Sequence, residues 1–129
     1  MPLKESQYPR DWLAIGDKDW KRMGLALDDG DAEEAGFWLQ QAVEKYLKAY
    51  LLAKGWTLRK VHDLEVLLNE ATPHMPAFRQ FTKACRKISA YYLAERYPFM
   101  GSPQITLDDV SRSRDEITGL VELIRQELR

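Results

Sequence analysis

Apolar positions along this chain recur every three or four residues, and Gly and Pro cut that recurrence into segments. The breaks fall at Gly30, Gly55, Pro73, Pro76, Pro98, Gly101 and Pro103. The first segment, about 9–29, places Leu13, Gly16, Trp20, Met23 and Leu27 on one helical face. Pro9 suits a first turn, where its missing N–H costs nothing, and Gly30 suits the left-handed position beyond a C-cap. The second segment, about 32–54, starts behind Asp31 with Glu34 three residues on, the pattern of a capping box. Its stripe of Leu39, Ala42, Val43, Tyr46, Leu47 and Tyr50, broadened by Phe37, Trp38 and Leu51, predicts packing on two sides. A short third segment, about 63–71, buries Leu64, Leu67, Leu68 and Ala71 before Pro73 stops it. The fourth, about 76–97, follows Phe78, Phe81, Cys85, Ile88 and Tyr92 up to Pro98. The stretch 99–105 reads as a loop. The fifth segment, about 107–129, is capped by Thr106 with Asp109 and carries Val110, Ile117, Leu120, Val121, Ile124 and Leu128.

No run alternates with the period of a strand. The pattern therefore predicts an all-α protein, an up-down antiparallel helical bundle of about five helices, four long and one short. A length of 129 residues fits a single domain over 1–129, with its core over about 9–129.

Composition narrows the function classes. Apolar residues make up 45% and aromatic residues 11%, enough for a core and too much for a disordered chain. The 19 basic residues nearly balance the 20 acidic ones, giving a formal charge of -1. This excludes a globally basic nucleic-acid binder but leaves a local basic face open. With Cys85 alone, no intramolecular disulfide and no multi-cysteine metal centre can form. His62 and His74 are the only histidines, which excludes a histidine-rich metal centre; neither a metal nor a cofactor is expected. The polar start of the chain lacks the apolar core of a signal peptide, and no apolar run approaches the ~20 residues of a membrane span. A cytoplasmic protein without membrane contact is expected.

The balanced total hides an uneven distribution. From Lys45 to His62 the chain carries Lys45, Lys48, Lys54, Arg59 and Lys60 with no acid. From Arg79 to Arg96 it carries Arg79, Lys83, Arg86, Lys87 and Arg96 against Glu95 alone. If both windows share one end of the bundle, they form a basic cleft for phosphate or RNA backbone. The plainer reading is two solvated helix faces, with Glu44 and Lys48 as an i,i+4 pair.

Three places invite chemistry. His62-Asp63 opens the third segment; Asp63 reads as a helix cap, and beside Arg59 and Lys60 the same spot reads as a phosphate site at a helix N-terminus. The stretch from Tyr91 to Pro98 crowds Tyr91, Tyr92, Tyr97 and Arg96 at a helix end. It reads either as core plus a C-terminal cap or as a guanidinium aimed at a phosphate among stacking rings. Cys85 sits on an apolar face and reads as a small core residue. No phosphate-loop, dinucleotide, zinc-protease or nucleophile-elbow motif is present.

Several stretches together resemble a known family. The run Phe37-Trp38-Leu39-Gln40-Gln41-Ala42-Val43-Glu44-Lys45-Tyr46-Leu47-Lys48-Ala49 is similar to the Q-Q-A-x-E-K-x-L-K-A helix of the HEPN domain (higher eukaryotes and prokaryotes nucleotide-binding). Lys60-Val61-His62-Asp63-Leu64 resembles its [KR]-x-H-D-L element, and Arg96-Tyr97-Pro98 its R-Y-P element. The resemblance implies a bundle of about five helices, usually a homodimer. It also implies a minimal nucleotidyltransferase as partner, often in a toxin–antitoxin pair. Many members of that family are metal-independent endoribonucleases, whose signature is an arginine followed after four to six residues by a histidine.

This chain departs from that signature. Counting from Arg96, the histidine positions hold Gly101, Ser102 and Pro103. Cleavage at a ribose 2′-OH needs a group that can take and return a proton near neutrality, which arginine cannot do. The resemblance then implies a nucleotide- or RNA-phosphate-binding protein without catalytic residues. Arg96 is the phosphate clamp, Tyr97 and Tyr92 support it, and Lys45, Lys48, Arg59, Lys60 and His62 form a second tier. One alternative is a divergent endoribonuclease toxin using Arg96, Tyr97 and His62. Another is a ligand-free interaction module, since Trp12, Trp20, Trp38 and Trp56 exceed what a small core needs and Trp56 follows a break.

Overall fold

The computed structural model describes residues 6–96 and 104–128, with side chains described for 6–92 and 104–128. Its elements are α1 (Pro9–Asp28), α2 (Ala32–Ala53), α3 (Leu64–Ala71), a 3₁₀ turn (Pro76–Phe81), α4 (Thr82–Arg96) and α5 (Leu107–Glu127). Among the described residues there is no strand. None of their helices is long and apolar enough to cross a membrane.

Local chemistry sets the boundaries. Gly30 and Gly55 take φ of 78° and 88° just after α1 and α2, a backbone that side-chain-bearing residues rarely adopt. Asp31 accepts the Glu34 N–H at 3.1 Å. Thr106 and Asp109 form a complete capping box at the start of α5. The fourth segment starts differently from its sequence pattern: Pro76–Phe81 winds as a 3₁₀ turn, and the α-helix begins at Thr82. Tight turns of this kind are common where a helix starts, and Phe78 and Phe81 are buried from it as expected.

Contacts in register show how the helices run. Going up α1, Trp12, Gly16 and Arg22 meet Lys48, Tyr46 and Trp38 going down α2. The two helices are therefore antiparallel, as a connection of a few residues demands. On α4, Tyr91 meets Gly36 near the start of α2, and Phe78 in the preceding turn packs on Tyr50 near its end. Tyr91 also bonds Ser113 of α5 at 2.9 Å, and Phe81 packs on Gly119, so α4 and α5 are antiparallel too. Helix α2 lies centrally and packs on α1, α3, α4 and α5. Its Leu39, Ala42, Val43, Tyr46, Leu47, Tyr50 and Leu51 are all buried. The wide stripe predicts packing on two sides, and the helix meets four neighbours.

The first helix presents a slightly rotated face. Trp12, Gly16, Asp19, Met23 and Ala26 are buried, while Leu13, Trp20 and Leu27 border the core half-buried. A hydrophobic stripe does not mark an aspartate as buried. Asp19 is tolerated there because Arg22 reaches it at 2.8 Å and Lys45 at 3.6 Å. On α4 the buried tyrosine is Tyr91, and Tyr92 is half-buried beside it. Trp56 is no exposed anchor: it is half-buried against the core, with the Arg59 guanidinium 5.6 Å from the centre of its ring.

Candidate phosphate-binding cleft

Helix α2 carries a polar row through its apolar surface. Gln40, Glu44 and Lys48 follow one another at four-residue steps, so they stack on one face. All three are buried. Buried polar groups persist only when hydrogen-bonded, and these satisfy one another. Gln40 Nε2 donates to Glu44 Oε1 at 3.1 Å and to the His62 carbonyl at 3.0 Å. Gln41 Nε2 donates to Gln40 Oε1 at 2.7 Å. Lys48 Nζ donates to Glu44 Oε2 at 3.0 Å, and Lys45 Nζ to Gln41 Oε1 at 3.1 Å.

Glu44 is the hub. Burial alone pushes its carboxyl up, but the charges of Lys48 and Lys45 and the hydrogen bonds from Lys48 and Gln40 outweigh it, so its pKa lies below the usual 4.5. The carboxylate also faces His62, whose Nδ1 lies 3.1 Å from Glu44 Oε1. Because the carboxylate accepts, Nδ1 carries the proton in the neutral ring and Nε2 is left as an acceptor. The i,i+4 pair of Glu44 and Lys48 therefore forms, but buried within the protein instead of on a solvated face.

Over this network lies a cleft of about 560 Å³. Trp12, Gln41, Glu44, Lys45, Lys48, Arg59, Lys60 and His62 are among its lining residues. The first basic window, apart from Lys54, is thus gathered on one concavity. Arg59 is held at it by an ion pair with Glu70 and by the Trp56 ring. Lys60 is exposed and has no ion pair among the described residues. Lys54 points elsewhere and pairs with Glu127 at 3.6 Å.

A smaller depression of about 350 Å³ shares His62 and adds Asp63, Glu65, Arg86, Ser89, Ala90 and Tyr92. Arg86 is the part of the second basic window that reaches it, and Glu65 engages it at 2.9 and 2.7 Å. Arg79, Lys83 and Lys87 are exposed and line neither cavity. Among the described residues, the two windows therefore touch near His62 and do not merge into one basic surface.

The α3 N-terminus is closed to a phosphate. Asp63 accepts the N–H groups of Glu65 and Val66 at 2.9 and 3.4 Å, and Ser89 Oγ accepts that of Leu64 at 2.9 Å. The capping reading of Asp63 holds, and the helix-terminus reading of the phosphate site falls. Arg59, Lys60 and His62 instead face the cleft beside it.

Tyr92 stands next to His62 with its ring 5.7 Å away and 10° from parallel. Phe37 lies on the Tyr92 ring at 5.9 Å and 21°. Arg96 ends α4 one turn beyond Tyr92, but its side chain and Tyr97 lie outside the described residues. Cys85 is buried, as its apolar face predicts, and burial reinforced by Glu65 and Asp63 pushes its thiol up to about 12.

Comparison with family models settles the lineage: the model of the HEPN domain matches residues 9–127. The chain belongs to the HEPN domain family. Among solved structures, this HEPN domain is similar to TT1696 from Thermus thermophilus, with a TM-score of 0.82 and 24% identity over 92% of this chain and 96% of that one. That likeness concerns the fold. No curated protein sequence matches. Within this HEPN domain the polar residues of the hallmark helix now have a physical role: Gln41, Glu44, Lys45 and Lys48 line the cleft, and the buried Gln40 ties Gln41, Glu44 and the His62 carbonyl together. Sequence reasoning passed over Gln40, Gln41 and Glu44 as site residues. For Gln40 and Glu44 the signal was present, because with Lys48 they are polar residues at i, i+4 and i+8 inside a wide apolar stripe, which must pair with one another or be expelled.

Proposed function

We propose that this HEPN domain binds the phosphates of a nucleotide or of RNA in the cleft above α2, without catalysing a reaction. It would work with a nucleotidyltransferase partner in a two-component, toxin–antitoxin-like system, as a homodimer in the cytoplasm. The observation that carries the binding reading is the gathering of Lys45, Lys48, Arg59 and Lys60 with His62 on one cavity, against Glu44 as its lining acid. Lys45 and Lys48 are offset by Asp19 and Glu44, and Arg59 by Glu70, so the uncompensated charge on the cavity is that of Lys60, which has no counter-ion among the described residues. The volume of about 560 Å³ lies within the usual range for small-molecule sites. Arg96, one turn beyond Tyr92 on α4, is the proposed clamp, with Tyr97 and Tyr92 as its supports.

The test is a titration of ATP and of a short single-stranded RNA at two salt concentrations. Binding is expected to weaken with salt. Lys60→Ala and Arg96→Ala are each expected to lower affinity and to reduce the salt slope by about one. Arg112→Ala, whose guanidinium pairs with Asp108 on α5, is expected to change neither. Binding that ignores salt and all three substitutions contradicts the reading. Co-purification with a minimal nucleotidyltransferase from the same genome checks the partnership.

One observation favours a second reading, a divergent endoribonuclease. The exposed imidazole of His62 is held through Nδ1 by a buried carboxylate, which leaves Nε2 able to accept a proton. RNA cleavage followed in the same titrations separates the two readings: cut RNA with wild-type protein and intact RNA with His62→Ala would establish the enzyme.

A further inference from the structure

Phe37, Tyr92 and His62 form a ladder of near-parallel rings that starts on α2, crosses α4 and ends in the loop before α3. Tyr92 is near-parallel to both neighbours, with Phe37 at 5.9 Å and 21° and His62 at 5.7 Å and 10°. His62 is the terminal rung: its side chain is 58% exposed, and it lines both the smaller depression, which Tyr92 shares, and the larger cationic cleft, which Tyr92 does not. Its ring is also fixed in place. Glu44 anchors Nδ1 at 3.1 Å, and Gln40 ties the backbone carbonyl of the same residue at 3.0 Å. A pre-oriented flat ring loses little freedom on binding a second flat ring.

The geometry points to His62 as a stacking platform for a nucleobase, so that the cleft selects phosphates that carry a base over phosphates that do not. This inference rests on the phosphate-binding reading and names its ligand class: a nucleotide or a single-stranded RNA residue, not a sugar phosphate or inorganic polyphosphate. The base lies on the outer face of His62 and extends the ladder by one rung. The phosphate reaches the side chains of Lys45 and Lys60 in the same cleft. Histidine is among the side chains on which bases stack in single-stranded recognition. Glu44 is a positioning residue here, because it acts on the base only through the orientation of His62.

The test compares AMP with ribose 5-phosphate by calorimetry, using the full chain. These ligands share the sugar and the phosphate and differ in the base. Wild-type protein is expected to bind AMP about tenfold or more tightly than ribose 5-phosphate. His62→Ala is expected to abolish that preference, and His62→Phe, which keeps a flat ring, to retain most of it. Thermal melts of both variants confirm that they are folded. Equal affinity of wild-type protein for the two ligands overturns the platform while the phosphate reading stands, and so does a preference that survives His62→Ala. If neither ligand binds, both readings fall.

Discussion

Glu44 Oε1 lies 3.1 Å from Nδ1 of His62, joining a buried carboxylate on the central helix to an exposed ring at the mouth of the cleft. The contact links stability to the site. The same carboxylate receives Lys48 at 3.0 Å and Gln40 at 3.1 Å, so the group that orients His62 also holds a cation and an amide inside the bundle.

Removing one member of the buried pair strands the other. Lys48→Met leaves Glu44 without its closest counter-charge and is expected to cost about 3 kcal/mol. Adding Glu44→Gln to that variant removes the stranded charge and keeps a polar group for Gln40, so more than half of the loss is expected to return. Urea unfolding of the two variants and the wild type measures both steps. A double variant no more stable than Lys48→Met would show that charge pairing is not what holds this row together.

The lowered pKa of Glu44 sets a pH dependence. As pH falls, the unfolded chain takes up the Glu44 proton before the folded one does. The stability from this group is therefore fully present above about pH 4.5 and is lost as pH falls through the lower folded value. Glu44→Gln has no such proton to bind. The difference in melting temperature between wild type and Glu44→Gln is expected to be largest near neutrality and to shrink below pH 4.5. A difference that stays constant down to pH 3 contradicts the assignment.

Helices α1 and α2 meet most closely where Gly16 faces Tyr46. A Cβ on Gly16 would lie 2.9 Å from a ring carbon of Tyr46. That ring is fully buried, and its hydroxyl donates to Asp17 at 2.7 Å and accepts from Arg125 of α5 at 3.1 Å, so it cannot easily yield. Gly16→Ala is expected to destabilise by about 1–3 kcal/mol. At Gly24 of the same helix nothing lies within 4 Å of a new Cβ, and Gly24→Ala is expected to stabilise by about 0.5–1 kcal/mol. Opposite signs in chemical denaturation distinguish close packing from general helix propensity.

Cys85 provides a probe of global opening. Its thiol is buried and pushed up to about 12, so almost no thiolate is available at pH 8. Native protein is expected to resist alkylation at that pH and to react fully in urea. Rapid labelling without denaturant would show that α4 opens locally.

Much of this arrangement was legible in the sequence. Five helices, the left-handed Gly30, the break at Gly55 and caps at Asp31, Asp63 and Thr106 follow from periodicity and turn chemistry, because each depends on residues close together in the chain. The grouping of Lys45, Lys48, Arg59, Lys60 and His62 was legible as a charge window, and the fold places all five on one cavity. What escaped were relations between distant segments. Asp19 pairs with Arg22 within α1, but its burial also depends on α2, whose Lys45 reaches it at 3.6 Å, and no pattern within α1 contains that second contact. The Phe37, Tyr92 and His62 ladder draws one ring from each of three segments. Asp63 capping its own helix closed the N-terminus that the sequence had left open to a phosphate.

The central claim is that ligand phosphates settle in the cleft above α2. The most direct measurement is amide and side-chain chemical-shift mapping during titration with ATP. The account predicts that the largest shifts fall on Gln41, Lys45, Lys60 and the His62 ring, while Lys54 and Arg125 toward the other end of α2 and α5 stay in place. Shifts centred on Lys54 and Arg125, or no shifts at saturating ATP, would contradict it.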